Sequence, residues 1–201
     1  MNSRQKLLEI FNEALKAVLP GQLIRDSLHV AEDHLQAGGK RYELVKGLGI
    51  HVFGSGKASV PAALAMEEML GDRIAGGLIV TNHDDGSLSR LTVHVGAHPV
   101  PGQRSIDAAR MVVDRLGSLG EDDFFIYLLS GGSSALLEWP IPPVTLPDLQ
   151  ATARLLLDGG LTIDEMNAVR KHLSLVKGGR LARLTRARGV VLVISDVIGD
   201  D

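Results

Sequence analysis

Apolar residues recur at helical spacing through Leu7, Leu8, Ile10, Phe11, Ala14, Leu15 and Val18 and stop at Pro20, which predicts an amphipathic helix. Leu23, Ile24, Leu28, Ala31 and Leu35 carry the same spacing on to Gly38-Gly39, so the segment 1–40 reads as helical. The pattern then changes. Leu48 to Phe53 is a short, mostly apolar run that ends in Gly54-Ser55-Gly56, and a helical stretch follows from Ala58 to Leu70. Gly77 to Thr81 and Leu91 to Val95 read as two further strands, Ser105 to Leu116 as a helix, and Phe124 to Leu129 and Val190 to Ile194 as the fourth and fifth strands. Between the last two strands lie about sixty residues, more than a simple crossover needs. They hold two helical stretches, one starting at the capping-box pattern Thr162-Ile163-Asp164-Glu165.

Strands without clean polar–apolar alternation are buried on both faces, and the helices between them supply the cover. The expected fold is therefore α/β: a Rossmann-like, three-layer αβα domain with a mainly parallel, doubly wound sheet and helices at its N-terminus. The direction of the third strand stays open, because it follows closely behind the second. The chain reaches Asp201 inside the loop that follows a strand, so residues 1–201 read as one such domain that is a portion of a longer protein.

Composition narrows the function classes. The chain has no Cys, which excludes a disulfide framework, a thiolate zinc site and a Cys nucleophile. A formal charge of −3 argues against a general nucleic-acid binder, and an aromatic share of 3% argues against base-stacking platforms. An apolar content of 45% excludes disorder. The N-terminus lacks the apolar core of a signal peptide, and the longest apolar run near the C-terminus falls far short of the ~20 residues of a membrane helix. The expected setting is cytoplasmic. The 23 glycines mark places where backbone turns tightly or approaches a ligand.

Two glycine turns follow strands. In Gly54-Ser55-Gly56-Lys57-Ala58-Ser59, backbone N–H groups and the start of a helix suit an anion, and Lys57 adds a full charge; the plainer reading is a tight turn with a solvated lysine. It is not a Walker A loop, since Ala58 follows Gly-Lys and His51 occupies the first glycine position, and Ser59 in place of a third glycine spoils a dinucleotide fingerprint. Ser130-Gly131-Gly132-Ser133-Ser134-Ala135 again suits phosphate or carboxylate; it lacks the Gly-x-Ser-x-Gly order of a hydrolase elbow, and Ser133 could also serve as a simple N-cap.

A third segment, Asn167 to Arg180, carries Arg170, Lys171, Lys177 and Arg180 within eleven positions. Arg170, Lys171 and Lys177 could clamp a polyanion, although a charge run is more often a solvated face. Arg183, Arg186 and Arg188 are left to that plainer reading. Asp196, with Asp200 and Asp201, stands at a strand end, where a carboxylate can hold Mg2+ or accept a proton, or simply form a turn. His98 lies in a stiff loop between prolines, and a lone His is more often structural than a ligand contact. No paired-His spacing supports a transition-metal site.

Taken in order, Phe53-Gly54-Ser55-Gly56-Lys57-Ala58, His98-Pro99-Val100-Pro101, Leu129 to Leu137, Asn167 to Ala182 and Ser195 to Asp201 resemble the class II glycerate 2-kinase family, whose members join an N-terminal DUF4147 domain to a C-terminal MOFRL domain. The resemblance covers essentially the whole chain, and Asn167–Ala182 is its most specific part. It implies ATP-dependent phosphorylation of D-glycerate at the 2-hydroxyl, with Mg2+ accompanying the nucleotide, in a cleft between two domains of which the MOFRL domain is absent here. The family's proposed catalytic lysine matches Lys57; its proposed arginine partner belongs to the C-terminal part. Ser133 departs from the common pattern by replacing a third glycine.

On this resemblance Lys57 steadies the transferring phosphoryl group, and Gly54, Ser55, Gly56, Ser130, Gly131, Gly132, Ser133 and Ser134 bind phosphate or the glycerate carboxylate. Arg170 and Lys177 neutralise substrate charge, and Asp196 positions Mg2+ or takes the hydroxyl proton. The partners expected are a small acid and a nucleotide, with no nucleic acid and no membrane. One alternative is a hydroxypyruvate-reductase-type oxidoreductase, for which Asp84 and Asp85 stand near the place of the required acidic residue. The other is a portion that binds ligand without turnover.

Overall fold

Asn2 caps the first helix in a capping box with Gln5, and α1 runs over Ser3–Ala17. Pro20 opens α2, Pro20–Ser27. The structure is a computed structural model that describes residues 2–195; Asp196, Asp200 and Asp201 lie outside the described residues. After α2 the chain departs from the helical expectation. Residues 28–43 form a small antiparallel sheet of β1 (Leu28–Val30), β2 (His34–Ala37) and β3 (Lys40–Glu43). Gly38 and Gly39, with φ of 54° and 74°, make the two-residue turn between β2 and β3. Two successive left-handed residues give a turn whose twist matches a hairpin, and glycine adopts them without strain. Leu28 and Leu35 stand seven apart, which fits two helical turns, but both are buried under a sheet, with Ala37 beside them.

The main sheet contains β4 (Ile50–Ser55), β5 (Ile74–Thr81), β6 (Thr92–Val95), β7 (Phe124–Ser130) and β8 (Arg188–Ile194) in the order β6-β5-β4-β7-β8. Every pairing is parallel, including β5 with β6, which resolves the direction of the third expected strand. Between the strands come α3 (Ser59–Leu70), α4 (Gln103–Gly117), the short α5 (Ser133–Leu136), α6 (Leu146–Asp158) and α7 (Ile163–His172). Thr162 and Glu165 form the expected capping box at the start of α7.

The two faces of the sheet explain the missing alternation. Ile50, Val52, Ile79 and Ile126 pack with Ala62, Ala63 and Met66 of α3 on one face, while Phe53, Leu78 and Val80 pack with Ala108, Ala109 and Val112 of α4 on the other. Each fully buried aliphatic side chain stabilises by ~1.5–3 kcal/mol, so neither layer is dispensable. Among the described residues, no helix is long and apolar enough to cross a membrane.

The β5–β6 crossover has no helix to hold it. Instead, the Glu67 carboxylate of α3 accepts hydrogen bonds from the amides of Ser89, Arg90 and Leu91 and from the Ser89 hydroxyl, at 2.7–3.1 Å. Burial pushes this carboxyl up, but the three amides and the hydroxyl outweigh it and hold it below the ordinary Glu value of 4.5. A lowered folded value stabilises above the unfolded value and is lost as pH falls through the folded one. Glu67→Gln is therefore expected to destabilise the fold by about 1–3 kcal/mol at neutral pH. In denaturant titrations the gap to the unmodified chain should narrow below the ordinary Glu value of 4.5.

Candidate functional site

The carboxyl ends of β4 and β7 lie side by side, with Ser55 paired to Leu129. The turn after β4 has little freedom. A Cβ on Gly56, whose φ is 129°, would stand 2.1 Å from Ser130 Oγ, so only glycine fits. Gly56 N donates to Val80 O at 3.0 Å, Lys57 N to Gly131 O at 2.9 Å and Ala58 N to Ser130 Oγ at 3.1 Å. The last bond caps α3, which has no capping side chain of its own.

This arrangement corrects one sequence expectation. The amides of Gly56, Lys57 and Ala58 are engaged with protein acceptors, so they do not face an anion as donors. Gly54 and Ser55 are buried in the strand. Ser55 Oγ instead joins a chain of hydroxyls, 2.8 Å from Tyr127 OH and 2.5 Å from Ser133 Oγ. Burial pushes Tyr127 up to about 12, against the pull of the Ser55 bond, so its hydroxyl keeps its proton. Ser133, the departure from the family pattern, thereby ties the second turn to the first. The β4 turn is a buttress that presents the exposed Lys57 side chain.

The second turn is more open. Gly132 has φ of 88°, and a Cβ there would lie 3.2 Å from Lys57 Cε and Cγ and 3.2 Å from His98 Nε2. Lys57 and His98 thus converge over one residue that has no side chain. The amides of Ala135 and Leu136 both return to Gly132 O, whereas those of Ser133 and Ser134 have no protein acceptor among the described residues. The turn, His98, Asn167, Arg170 and Ser195 line a cavity of about 800 Å3. A second cavity of about 650 Å3, walled by Phe125, Tyr127, Leu129 and Val176, shares Ser133, Ser134 and Arg170 with the first.

From α7, Arg170 Nη2 reaches Ser134 O at 3.4 Å, while the buried Nε has no partner among the described residues. An unpaired buried donor costs free energy. Lys177 behaves differently. Its ammonium is paired with the fully buried Glu138 and donates to Leu137 O at 3.2 Å. Burial pushes Lys177 down, the Glu138 charge and hydrogen bond pull it up, and the nearby Arg170 adds to the depression. Lys177 therefore ties residues 137–138 to its own loop, and its charge is already matched; it lines the second cavity without a free ammonium. Arg180 is likewise engaged, with the carbonyls of Lys171 and Ser174.

Asp164 and Asn167, which no binding motif marks in the sequence, line both cavities with Arg170. Their i, i+3, i+6 spacing, which puts all three on one side of a helix, was the available signal. Among the described residues no three His, Cys, Asp or Glu side chains gather as a metal site, and Asp196 lies outside them.

Parallel strands in the order β6-β5-β4-β7-β8, with glycine turns meeting at their carboxyl ends over a cavity, define a Rossmann-like domain. The chain belongs to the family described as domain of unknown function (DUF4147), which matches residues 6–201. It is 39% identical, over its whole length, to a glycerate 2-kinase of Pyrococcus horikoshii, of which it covers 45%. A protein of Agrobacterium vitis named for hydroxypyruvate reductase is 47% identical over 75% of the chain and 40% of its own length. The solved structure of a glycerate kinase from Thermotoga maritima superposes with a TM-score of 0.82 at 35% identity, covering 97% of this chain and 44% of that one. The chain spans under half the length of the relatives it matches.

Gly132→Ala places a Cβ against Lys57 and His98 in a left-handed backbone. It is expected to cost about 1–2 kcal/mol of stability and to lower affinity for inorganic phosphate. Thermal unfolding and a phosphate titration followed by NMR check both effects.

Proposed function

We propose that this chain forms one wall of the active site of a glycerate 2-kinase, which transfers a phosphoryl group from ATP to the 2-hydroxyl of D-glycerate. The observation that carries the reading is that the Ser133–Ser134 turn and Arg170 line one cavity at the carboxyl ends of the parallel strands, with the Lys57 side chain laid beside Gly132 of the same turn. Phosphoryl transfer asks a protein mainly for positioning and for charge stabilisation. Lys57 would steady the oxygens of the phosphoryl group in flight. The amides of Ser133 and Ser134, which have no protein acceptor among the described residues, would hold a phosphate or the glycerate carboxylate, and the Arg170 guanidinium, which reaches the turn at Ser134 O, would add its charge to the same anion. Lys177 acts here through Glu138, by fixing the loop behind Arg170.

Mg2+ belongs to this reading as the ion that neutralises the nucleotide's phosphates. The described residues do not themselves form a cage for it. The rest of the cleft, a MOFRL domain in this reading, would come from the part of the relatives that this chain does not span. A cytoplasmic setting fits a Cys-free chain.

The oxidoreductase reading is supported by the names of two Agrobacterium vitis relatives. Against it stands the β4 turn, whose amides are engaged with Ser130, Gly131 and Val80 and are not available to cradle a pyrophosphate.

Two measurements separate these readings. Calorimetry on this chain should detect D-glycerate or ATP. A coupled assay with ATP and D-glycerate, set beside NADH oxidation with hydroxypyruvate, should show phosphorylation and no hydride transfer in the polypeptide that turns over. NADH oxidation without phosphorylation would replace the kinase reading. In the same assay Lys57→Ala should lower kcat by roughly tenfold or more, as the loss of one oriented charge-stabilising donor does elsewhere. Unchanged turnover would remove Lys57 from the mechanism.

A further inference from the structure

The loop that carries His98 is fixed at several points. Gly96 N donates to Thr81 O at 2.8 Å, Ala97 N donates to Ser105 Oγ at 3.3 Å, and Gln150 Nε2 donates to Pro101 O at 2.7 Å. A Cβ on Gly96 would stand 2.7 Å from Leu136 O, so the loop also sits hard against α5. The His98 ring is thus held at the cavity, half-buried. It is nevertheless unpaired. His94, four residues earlier, bonds Arg104 O at 3.0 Å, and His51 faces Asp123, but the His98 ring has no hydrogen-bond partner among the described residues. Among the described residues, two residues on separate elements that line this cavity have a polar group without a hydrogen-bond partner: the His98 ring and the buried Nε of Arg170.

The groups around His98 divide the work by charge. Lys57 reaches it from the β4–α3 turn, and Arg170 and Asp164 line the cavity from α7. The two cations suit the anionic ends of a ligand. A hydroxyl is neutral, and its natural partner is a neutral group that can both donate and accept. Burial, and then the charge of Lys57, push His98 below its ordinary value of 6.5, so the ring is neutral at neutral pH.

We infer that His98 is the hydrogen-bond partner of the hydroxyl of a small 2-hydroxy acid whose carboxylate lies toward the Ser133–Ser134 amides and Arg170. The identity of that acid rests on the kinase reading; the assignment of its hydroxyl to His98 rests on the open ring over Gly132. His98 then selects acids that carry a hydroxyl beside the carboxylate over those that carry it elsewhere.

Calorimetry on this chain tests the assignment with D-glycerate, D-lactate and 3-hydroxypropanoate, the last of which lacks the 2-hydroxyl. The unmodified chain should bind the two 2-hydroxy acids about tenfold more tightly than 3-hydroxypropanoate, the worth of one good hydrogen bond in a partly buried site. His98→Ala should bring the three within about twofold of one another, the size of effect left when that bond is gone. His98→Gln, which keeps a donor and an acceptor, should restore part of the preference. A preference that survives in His98→Ala overturns the assignment alone, as does a chain that binds all three acids equally. A chain that binds none of them overturns the kinase reading and this assignment with it. Should the variants fail to fold, the His98 ring resonances of the unmodified chain decide: they should shift with D-glycerate and D-lactate and stay in place with 3-hydroxypropanoate. Ring resonances that ignore all three acids overturn the assignment.

Discussion

The two strand-end turns are built into each other. Gly56 leaves no room for a side chain because Ser130 fills it, Lys57 and Ala58 hang their amides on Gly131 and Ser130, and Ser55 meets Ser133 hydroxyl to hydroxyl. Neither turn has its shape without the other. The consequence is a rim stiff enough to aim one long, flexible side chain. Lys57 carries substantial rotamer entropy when free, of the order of 1.5–2 kcal/mol, and its methylene stem is laid against the bare backbone of Gly132. The left-handed conformation of that glycine, costly for any other residue, is what lets Lys57 and His98 approach the same point.

The same packing sorts the cations. From sequence, Arg170, Lys171, Lys177 and Arg180 look alike. In the fold, Lys177 is matched by Glu138 and Arg180 by carbonyls, whereas Lys57 stays exposed at the rim and Arg170 keeps a buried nitrogen unpaired. A buried ion pair such as Glu138–Lys177 is weak evidence for stability, since desolvation offsets much of its attraction. It joins the end of α5 to the loop after α7, the two segments that flank Arg170. Charges that are already matched hold the frame.

The sheet was legible because buried parallel strands show as short apolar runs between glycine turns, and those runs at Ile50, Ile79 and Ile126 needed no partner to be recognised. The hairpin at 34–43 was not, because Leu28 and Leu35 satisfy helical spacing and the Gly38-Gly39 turn also looks like a helix stop. The paired turns at the strand ends were legible in their glycines. Which donors are free was not: whether the Gly56 amide is available depends on Val80, and whether Lys177 is available depends on Glu138, thirty-nine positions away. Local sequence carries no signal for such pairings. Asp196 lies outside the described residues.

A nitrogen-15 NMR titration of the chain with inorganic phosphate tests the convergence of these elements most directly. Shifts should gather at Lys57, at Gly132 to Ser134, and at the guanidinium N–H groups of Arg170, and saturate together with a single affinity. Shifts confined to the basic surface at Arg183, Arg186 and Arg188, or separate affinities for the Lys57 turn and for Arg170, would contradict it.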